Sequence, residues 1–509
     1  MIPGLVFGLL LQLASTSAQD TATVARVGGQ RITVGDLVEN YEYGPAFPRR
    51  GRDPFRRYLK FMTFEMLLAQ EAKRHRLDTT LFVRERVQAL EEDLAVDELY
   101  RSEIMKNVNL SEADVDSALQ QARWNIRLRW IYRRERDQAE EVARRLRAGA
   151  SFDSLYREST DSMDVPGERS LESTVLKLRR DSPTFADRIK GLRVQEVSET
   201  FSGPDGFYIV RIDALWQNPL VTESESAEMR EEAAIILRSV KADALAGDYV
   251  RNAMLAANPV IKADGFNILL AYIAEKGLSR ETRLTWDIPA TFMTEAGPMP
   301  IGTSSRFLGR ALATYGSGSF TVHDYARWYD IRQFQFNTSS RAAFNASVKR
   351  SIWKMVQDRL LSKEAYERGL NRIPSVAHDT EKWSTKLLYL AGRASALKSV
   401  SVSDSALRAE YERGKGRFID AQGNIKSFDE VAGGLRITML RAEEDRVLFR
   451  ELQRLQRVTP VSINEPLLDH LARRVPSERG AIDVVVYKPG GTFPRVAVPT
   501  IDQRWQTFP

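Results

Sequence analysis

The sequence predicts an α+β protein, mainly helical, in which a split helical module occurs twice and a small α/β domain is inserted into the first copy. Three observations carry this expectation. Apolar residues recur at three- and four-residue spacing over much of the chain, several short segments recur at one offset of about 290 residues, and one stretch alternates strand and helix periods. With 509 residues, 43% of them apolar and 28% charged, the chain has the composition of a globular protein with several cores.

The first element is "MIPGLVFGLLLQLASTSAQD". Its apolar run from Leu5 to Ala14, followed by small residues ending at Ala18, fits a secretory signal over 1–18 and predicts export to the periplasm. The run is too short to span a bilayer, and no later segment reaches the roughly 18 apolar residues of a membrane span. The first copy of the helical module is expected over 19–123. Within it "FMTFEMLLAQEAKRHRL" places Phe61, Phe64, Leu67, Leu68 and Ala72 on one helical stripe. "LSEADVDSALQQA" then opens with Ser111 as helix cap and Asp114 in the first turn.

Both elements return later. "GGQRITVGDLVENY" at 28–41 matches "GSGSFTVHDYARWY" at 316–329, pairing Thr33 with Thr321 and Asp36 with Asp324. "LLAQEAKRHRL" matches "LLSKEAYERGL" at 360–370, and "VNLSEADV" matches "VSVSDSAL" at 400–407. A returning helix follows each copy: "NPVIKADGFNILL" after 225–257 resembles "TPVSINEPLL" at 459–468. The expected order is therefore the inserted domain over 124–216, the returning helix of the first copy over 217–280, a linker over 281–315, the second copy over 316–414, and its short insertion with returning helix over 415–474. A Pro- and Gly-rich extended tail over 475–509 completes it. The stripe Leu448, Leu452 and Leu455 is expected to meet the helix of Leu360 and Leu361, as 225–257 should meet Leu67 and Leu68. On that pairing a chain cut at 316 keeps 19–280 folded.

Inside 124–216, "NIRLRWIY" reads as a strand, 135–148 as a helix stopped by Gly149, and "SFDSLYRES" as a shorter helix. A helix around "PTFADRIKGL" leads to "VSETFSGPDGFYIVRIDAL", two strands turned at Pro204-Asp205-Gly206. This order of segments resembles the parvulin family of peptidyl-prolyl isomerases, and with the flanking helices the first 280 residues resemble periplasmic foldases of the SurA/PrsA type. The resemblance places Asp161 at the family's catalytic Cys/Asp position and Phe185 at the aromatic of the proline pocket. Two family histidines fall on Trp130 and Tyr208, and the family's Gly-rich segment is replaced by "PGERSLES" around Gly167. It implies a catalytic set of Asp161, Tyr208 and Trp130 with Phe185 as substrate contact, in a domain where both imidazoles are lost.

The function expected from these readings is an exported foldase or chaperone that binds unfolded or proline-containing client polypeptides, with its isomerase chemistry in question. Two alternatives stay open: an active isomerase using Asp161, Tyr208 and Phe185, and a non-catalytic assembly subunit. Neither a metal nor another cofactor is expected, since the chain has no Cys and its four His (His75, His323, His378, His470) are widely scattered. A net charge of +6 from 74 basic and 68 acidic residues is a mixed surface, not a nucleic-acid footprint.

Overall fold

The computed structural model describes residues 21–50, 53–161, 169–203, 206–217, 222–288, 293–294, 297–298, 308–316, 318–420, 422–474, 494 and 496–508. The signal-like stretch 1–18, the segment around Gly167, the Pro204-Asp205 turn, the first part of the tail and the side chain of Asp161 lie outside the described residues.

The protein is α+β and mainly helical. Its first part runs β1 (Thr23–Val27), β2 (Gln30–Thr33), α1 (Val34–Tyr43), α2 (Pro54–Arg74), α3 (Leu81–Glu103) and α4 (Glu112–Arg123). The inserted domain follows with β3 (Trp124–Arg133), α5 (Arg136–Arg147), α6 (Phe152–Asp161), β4 (Ser170–Thr174), α7 (Val175–Asp181), α8 (Pro183–Ile189), β5 (Phe201–Ser202) and β6 (Phe207–Gln217). Next come α9 (Glu223–Ala257), β7 (Val260–Ile261), α10 (Ala263–Gly277), α11 (Arg280–Thr285), β8 (Met293–Thr294) and β9 (Gly297–Pro298). The chain continues with β10 (Ala311–Tyr315), β11 (Gly318–Thr321), α12 (Val322–Arg332), α13 (Arg341–Glu367) and α14 (Pro374–Leu397). Last are α15 (Asp404–Gly414), α16 (Phe428–Val458), β12 (Val461–Ile463) and α17 (Glu465–Arg474). The stretch expected as a linker thus holds α11 at its start and β10 at its end.

Contacts divide the chain into two compact units, a middle unit of residues 96–370 and a terminal unit built from 21–95, 371–474 and 496–508. In the terminal unit β1 pairs with β2 on one side and with β12 on the other, Ala25 opposite Ile463 and Val27 opposite Val461. Thr33 caps α1 reciprocally: its hydroxyl accepts from Asp36 N at 3.2 Å, and the Asp36 carboxylate accepts from Thr33 N at 2.9 Å. Helix α2 starts from an Asp53 cap with Pro54 in its first turn and buries Phe55, Tyr58, Leu59, Phe61, Leu67 and Leu68. Those side chains share one core with Leu387, Leu388 and Tyr389 of α14 and with Leu448, Leu452 and Leu455 of α16. A Cβ on Gly392 would lie 2.8 Å from the Leu68 carbonyl oxygen, so α2 and α14 approach more closely than any side chain at 392 would permit.

The middle unit repeats the local pattern with different residues. Its sheet is ordered β11-β10-β7, with Ala313 opposite Ile261. Thr321 and Asp324 form the same reciprocal cap on α12, again at 3.2 and 2.9 Å. Helices α10, α12 and α13 bury Leu269, Ile273, Tyr325, Phe344 and Ile352 together, and Tyr249 of α9 donates to Glu364 of α13 at 2.6 Å.

These partners are exchanged relative to the sequence expectation. The stripe Leu448, Leu452, Leu455 shares its core with Leu67 and Leu68, while α9 meets α13, the helix of Leu360 and Leu361. Sequence separation does not decide the choice: β7 lies about 50 residues from β10 rather than about 230 from β1, but β1 must then close over about 430 residues to β12, and loop entropy grows only with the logarithm of length. The pieces left over, β1 to α2 and β12 to α17, then complete one another. Two smaller corrections also arise. The short insertion expected after residue 415 is shorter still, because Ser427 and Glu430 form a capping box and α16 runs unbroken from residue 428 through Gly433 and Gly434. The end of the tail is docked rather than loose, with Ile501, Trp505 and Phe508 buried in the terminal core.

Candidate functional site

The inserted domain is a four-stranded antiparallel sheet ordered β4-β3-β6-β5. Alternation along β3 and β6 gives it two faces. Ile126, Leu128 and Trp130 of β3 and Tyr208, Val210 and Ile212 of β6 form one apolar cluster with Leu178 of α7 and Ile189 of α8. Ile131 and Ile209 point the other way and pack with Val142 of α5 and with Phe152 and Leu155 of α6. Charges pin α6 to that second face. Arg211, itself buried, reaches Asp153 at 3.0 Å and Asp213 at 2.7 Å, and Arg129 reaches Asp153 at 2.8 Å and also pairs with Asp213. The Arg211 hydrogen bond, aided by Arg129, holds the Asp153 carboxyl below the usual carboxylate range.

Three of the four sequence-derived site residues come together on the first face. Trp130 and Tyr208 are buried at 5% and 7% exposure, and Phe185 on α8 is half-buried beside them. The Phe185 ring meets Trp130 at 5.5 Å and 84°, Phe201 at 5.4 Å and 88°, and Tyr208 at 5.2 Å and 69°. Tyr132 adds an edge contact to Tyr208 at 5.4 Å and 61°. Edge-to-face pairs of this kind contribute about 0.5–1.5 kcal/mol each beyond their buried area. Phe185 therefore packs against three rings while part of its own surface stays exposed. Asp161 is the last residue of α6.

A further group was not singled out in the sequence. Arg169, 5% exposed, donates to Ser159 Oγ at 2.5 Å, and its guanidinium lies 5.6 Å from the Tyr132 ring centroid. Its carbonyl accepts from Trp130 N at 3.0 Å, which ties this residue to the aromatic cluster. Burial, with Arg133 nearby, lowers the basicity of its guanidinium from the ordinary arginine value. No period or spacing marks Arg169; the only signal was a basic residue directly before a strand.

The terminal unit holds a concave feature, a cavity of about 340 Å³ whose lining includes Ile32, Asp36, Met62, Met66, His378 and Lys382. His378 Nε2 lies 3.2 Å from Asp36 Oδ1, and Lys382 bridges Glu39 at 2.7 Å and Asp379 at 2.9 Å. The Asp36 hydrogen bond, opposed by partial desolvation and by Lys382, raises the His378 pKa above the ordinary histidine value. Burial opposes ionisation of Asp36, but hydrogen bonds from His378 and Thr33 outweigh it and hold the carboxyl low. A raised folded-state histidine pKa gives stability that is complete below about pH 6.5 and lost as pH rises through the folded value. Because His378 is half exposed, the effect should be that of a surface pair, about 0.2–1 kcal/mol. Urea midpoints should therefore be higher at pH 6 than at pH 8, and His378→Gln should flatten that difference; an unchanged pH profile in the variant would remove the pair from the account.

Comparison with known proteins gives no match to a family model and none to a curated protein. Among solved structures the chain is similar to foldase protein PrsA from Streptococcus pneumoniae, at 16% identity over 44% of this chain and 91% of that one with a TM-score of 0.22. It is also similar to the peptidylprolyl isomerase PrsA from Bacillus cereus, at 16% identity over 45% and 92% with a TM-score of 0.21. The Bacillus anthracis PrsA peptidylprolyl isomerase aligns at 19% identity over 29% and 67% with a TM-score of 0.19. At these scores the likenesses carry no argument for this chain.

Proposed function

We propose that this chain is an exported foldase of parvulin type that holds unfolded or proline-containing client polypeptides and has little isomerase chemistry of its own. The observation that carries the reading is the burial of Trp130 and Tyr208 in one apolar cluster, where both pack their rings against Phe185. Rotation about an X-Pro bond faces a barrier of about 18–20 kcal/mol, and lowering it needs an open apolar slot with polar groups that favour the twisted amide. Here indole and phenol stand at the two imidazole positions. Indole donates a hydrogen bond but cannot accept one, and both side chains are in the core.

Two assays separate the parts of this proposal. A several-fold molar excess should suppress aggregation of an unfolded outer-membrane protein, and no suppression would sink client binding. Cis/trans relaxation of a proline tetrapeptide should proceed at its uncatalysed rate. An acceleration abolished by Phe185→Ala would instead establish an active isomerase using Asp161, Tyr208 and Phe185. Export is tested by N-terminal sequencing of protein recovered from the periplasm, which should begin near residue 19.

A further inference from the structure

Residues 496–508 cross the terminal unit without joining its sheet, and their one helical turn is Gln503–Thr507. Side chains of the unit hold them. Trp505, 1% exposed, stacks on Phe61 at 5.9 Å and 13° and meets Phe64 at 5.8 Å and Tyr389 at 6.0 Å. Phe508 meets Phe64 at 5.8 Å. The polar contacts read main chain: Asn40 Oδ1 accepts from Ile501 N at 2.9 Å, Glu65 Oε1 accepts from Asp502 N at 2.7 Å, and Trp383 Nε1 donates to the Ala497 carbonyl at 2.9 Å. Glu65 Oε1 also accepts the Trp505 indole N–H at 2.9 Å, while Lys386 binds Oε2 of the same carboxylate at 2.7 Å. At the rim Arg504 pairs with Glu444 at 2.7 Å and Asp445 at 2.8 Å.

An aromatic slot flanked by side chains that bond peptide N–H and C=O groups is the chemistry by which a protein receives an extended peptide. We propose that this groove is a peptide-binding site, occupied at rest by the chain's own C-terminal segment and open to client segments of the same chemistry. Such a segment runs extended into one helical turn, carries two aromatic side chains three residues apart with an aliphatic one four residues before the first, and has a basic residue beside the first aromatic. The proposal deepens the foldase reading and rests on it for the nature of the client.

The energetics favour exchange over simple opening. An empty groove strands the buried Glu65 carboxylate without two of its donors, whereas an entering peptide whose first aromatic is tryptophan restores both. A tethered occupant also competes at the high effective concentration of an intramolecular ligand, so a free peptide binds the closed chain weakly.

The chain contains no cysteine, so Asp445→Cys with Thr507→Cys can form only one disulfide, between positions whose side chains approach to 3.5 Å. The probe is a fluorescent synthetic peptide of residues 496–508. The reduced double variant should bind it at least tenfold more tightly than the oxidised form, and Trp505→Ala in the full chain should bind it more tightly than the unaltered protein. Equal binding in both redox states, or no gain in Trp505→Ala, overturns the proposal. Aggregation suppression is measured on the same samples: suppression that persists with no redox effect on peptide binding leaves the foldase reading intact and removes the groove from it.

Discussion

A chain ending at residue 280 is expected to lose the fold of its first 95 residues. Within the terminal core, eleven of the 28 buried apolar residues described come from beyond that cut, among them Leu387, Leu388, Tyr389, Leu448, Leu452, Leu455 and Trp505. Burying each such side chain contributes about 1.5–3 kcal/mol, so their sum exceeds the about 5–15 kcal/mol net stability of a domain. Strand β1 would also lose its β12 neighbour. The inserted domain, whose sheet and two apolar clusters lie within 124–217, should keep its structure in the same fragment. Near-ultraviolet circular dichroism and limited proteolysis check both halves of this: cleavage throughout 21–95 with a protected 124–217 is the expected pattern. A protected 21–95 would mean that the first copy completes itself, as the sequence alone had suggested.

Lys386→Ala should destabilise the terminal unit by about 3–5 kcal/mol, the cost of leaving a buried charge without its ion partner. Glu65 and Lys386 are 2.7 Å apart with side-chain exposures of 10% and 14%, and Glu65 is the acceptor on which the C-terminal segment is hung. The double change Glu65→Gln with Lys386→Met should cost much less, because it removes both charges, keeps similar volume and leaves an amide oxygen for the Trp505 indole. Urea unfolding of the single and double variants, monitored by tryptophan fluorescence, gives the comparison. A double variant as unstable as Lys386→Ala would show that the pair itself, rather than the stranded carboxylate, holds this region.

Short-range features were legible without any structure. Ser111 with Asp114 caps α4 as its three-residue spacing required, because a capping box is closed within one turn, and Thr33 with Asp36 and Thr321 with Asp324, noticed only as a repeated pair, close the same box. The alternation of "NIRLRWIY" likewise fixed which face Trp130 would share with Leu128. The candidate site was only partly legible. Resemblance named Trp130, Phe185 and Tyr208, but neither Arg169 nor the ring contacts of Phe201 left any periodic trace, since they depend on the β3–β6 and β5–β6 registers and on the seat of α8.

By itself, then, the sequence determined the long helices, the Ser111 cap and the strands β3, β5 and β6 of the inserted domain, while β4, α7 and β10 came only with the structure. Which half completes which was decided by tertiary structure alone. A stripe such as Leu448, Leu452 and Leu455 states that a helix needs an apolar partner, and both α2 and α13 offer one of similar pattern. Local helical energetics are blind to that choice. It is settled by packing, where Gly392 lets α14 close against α2 and the C-terminal rings fill the last of the core.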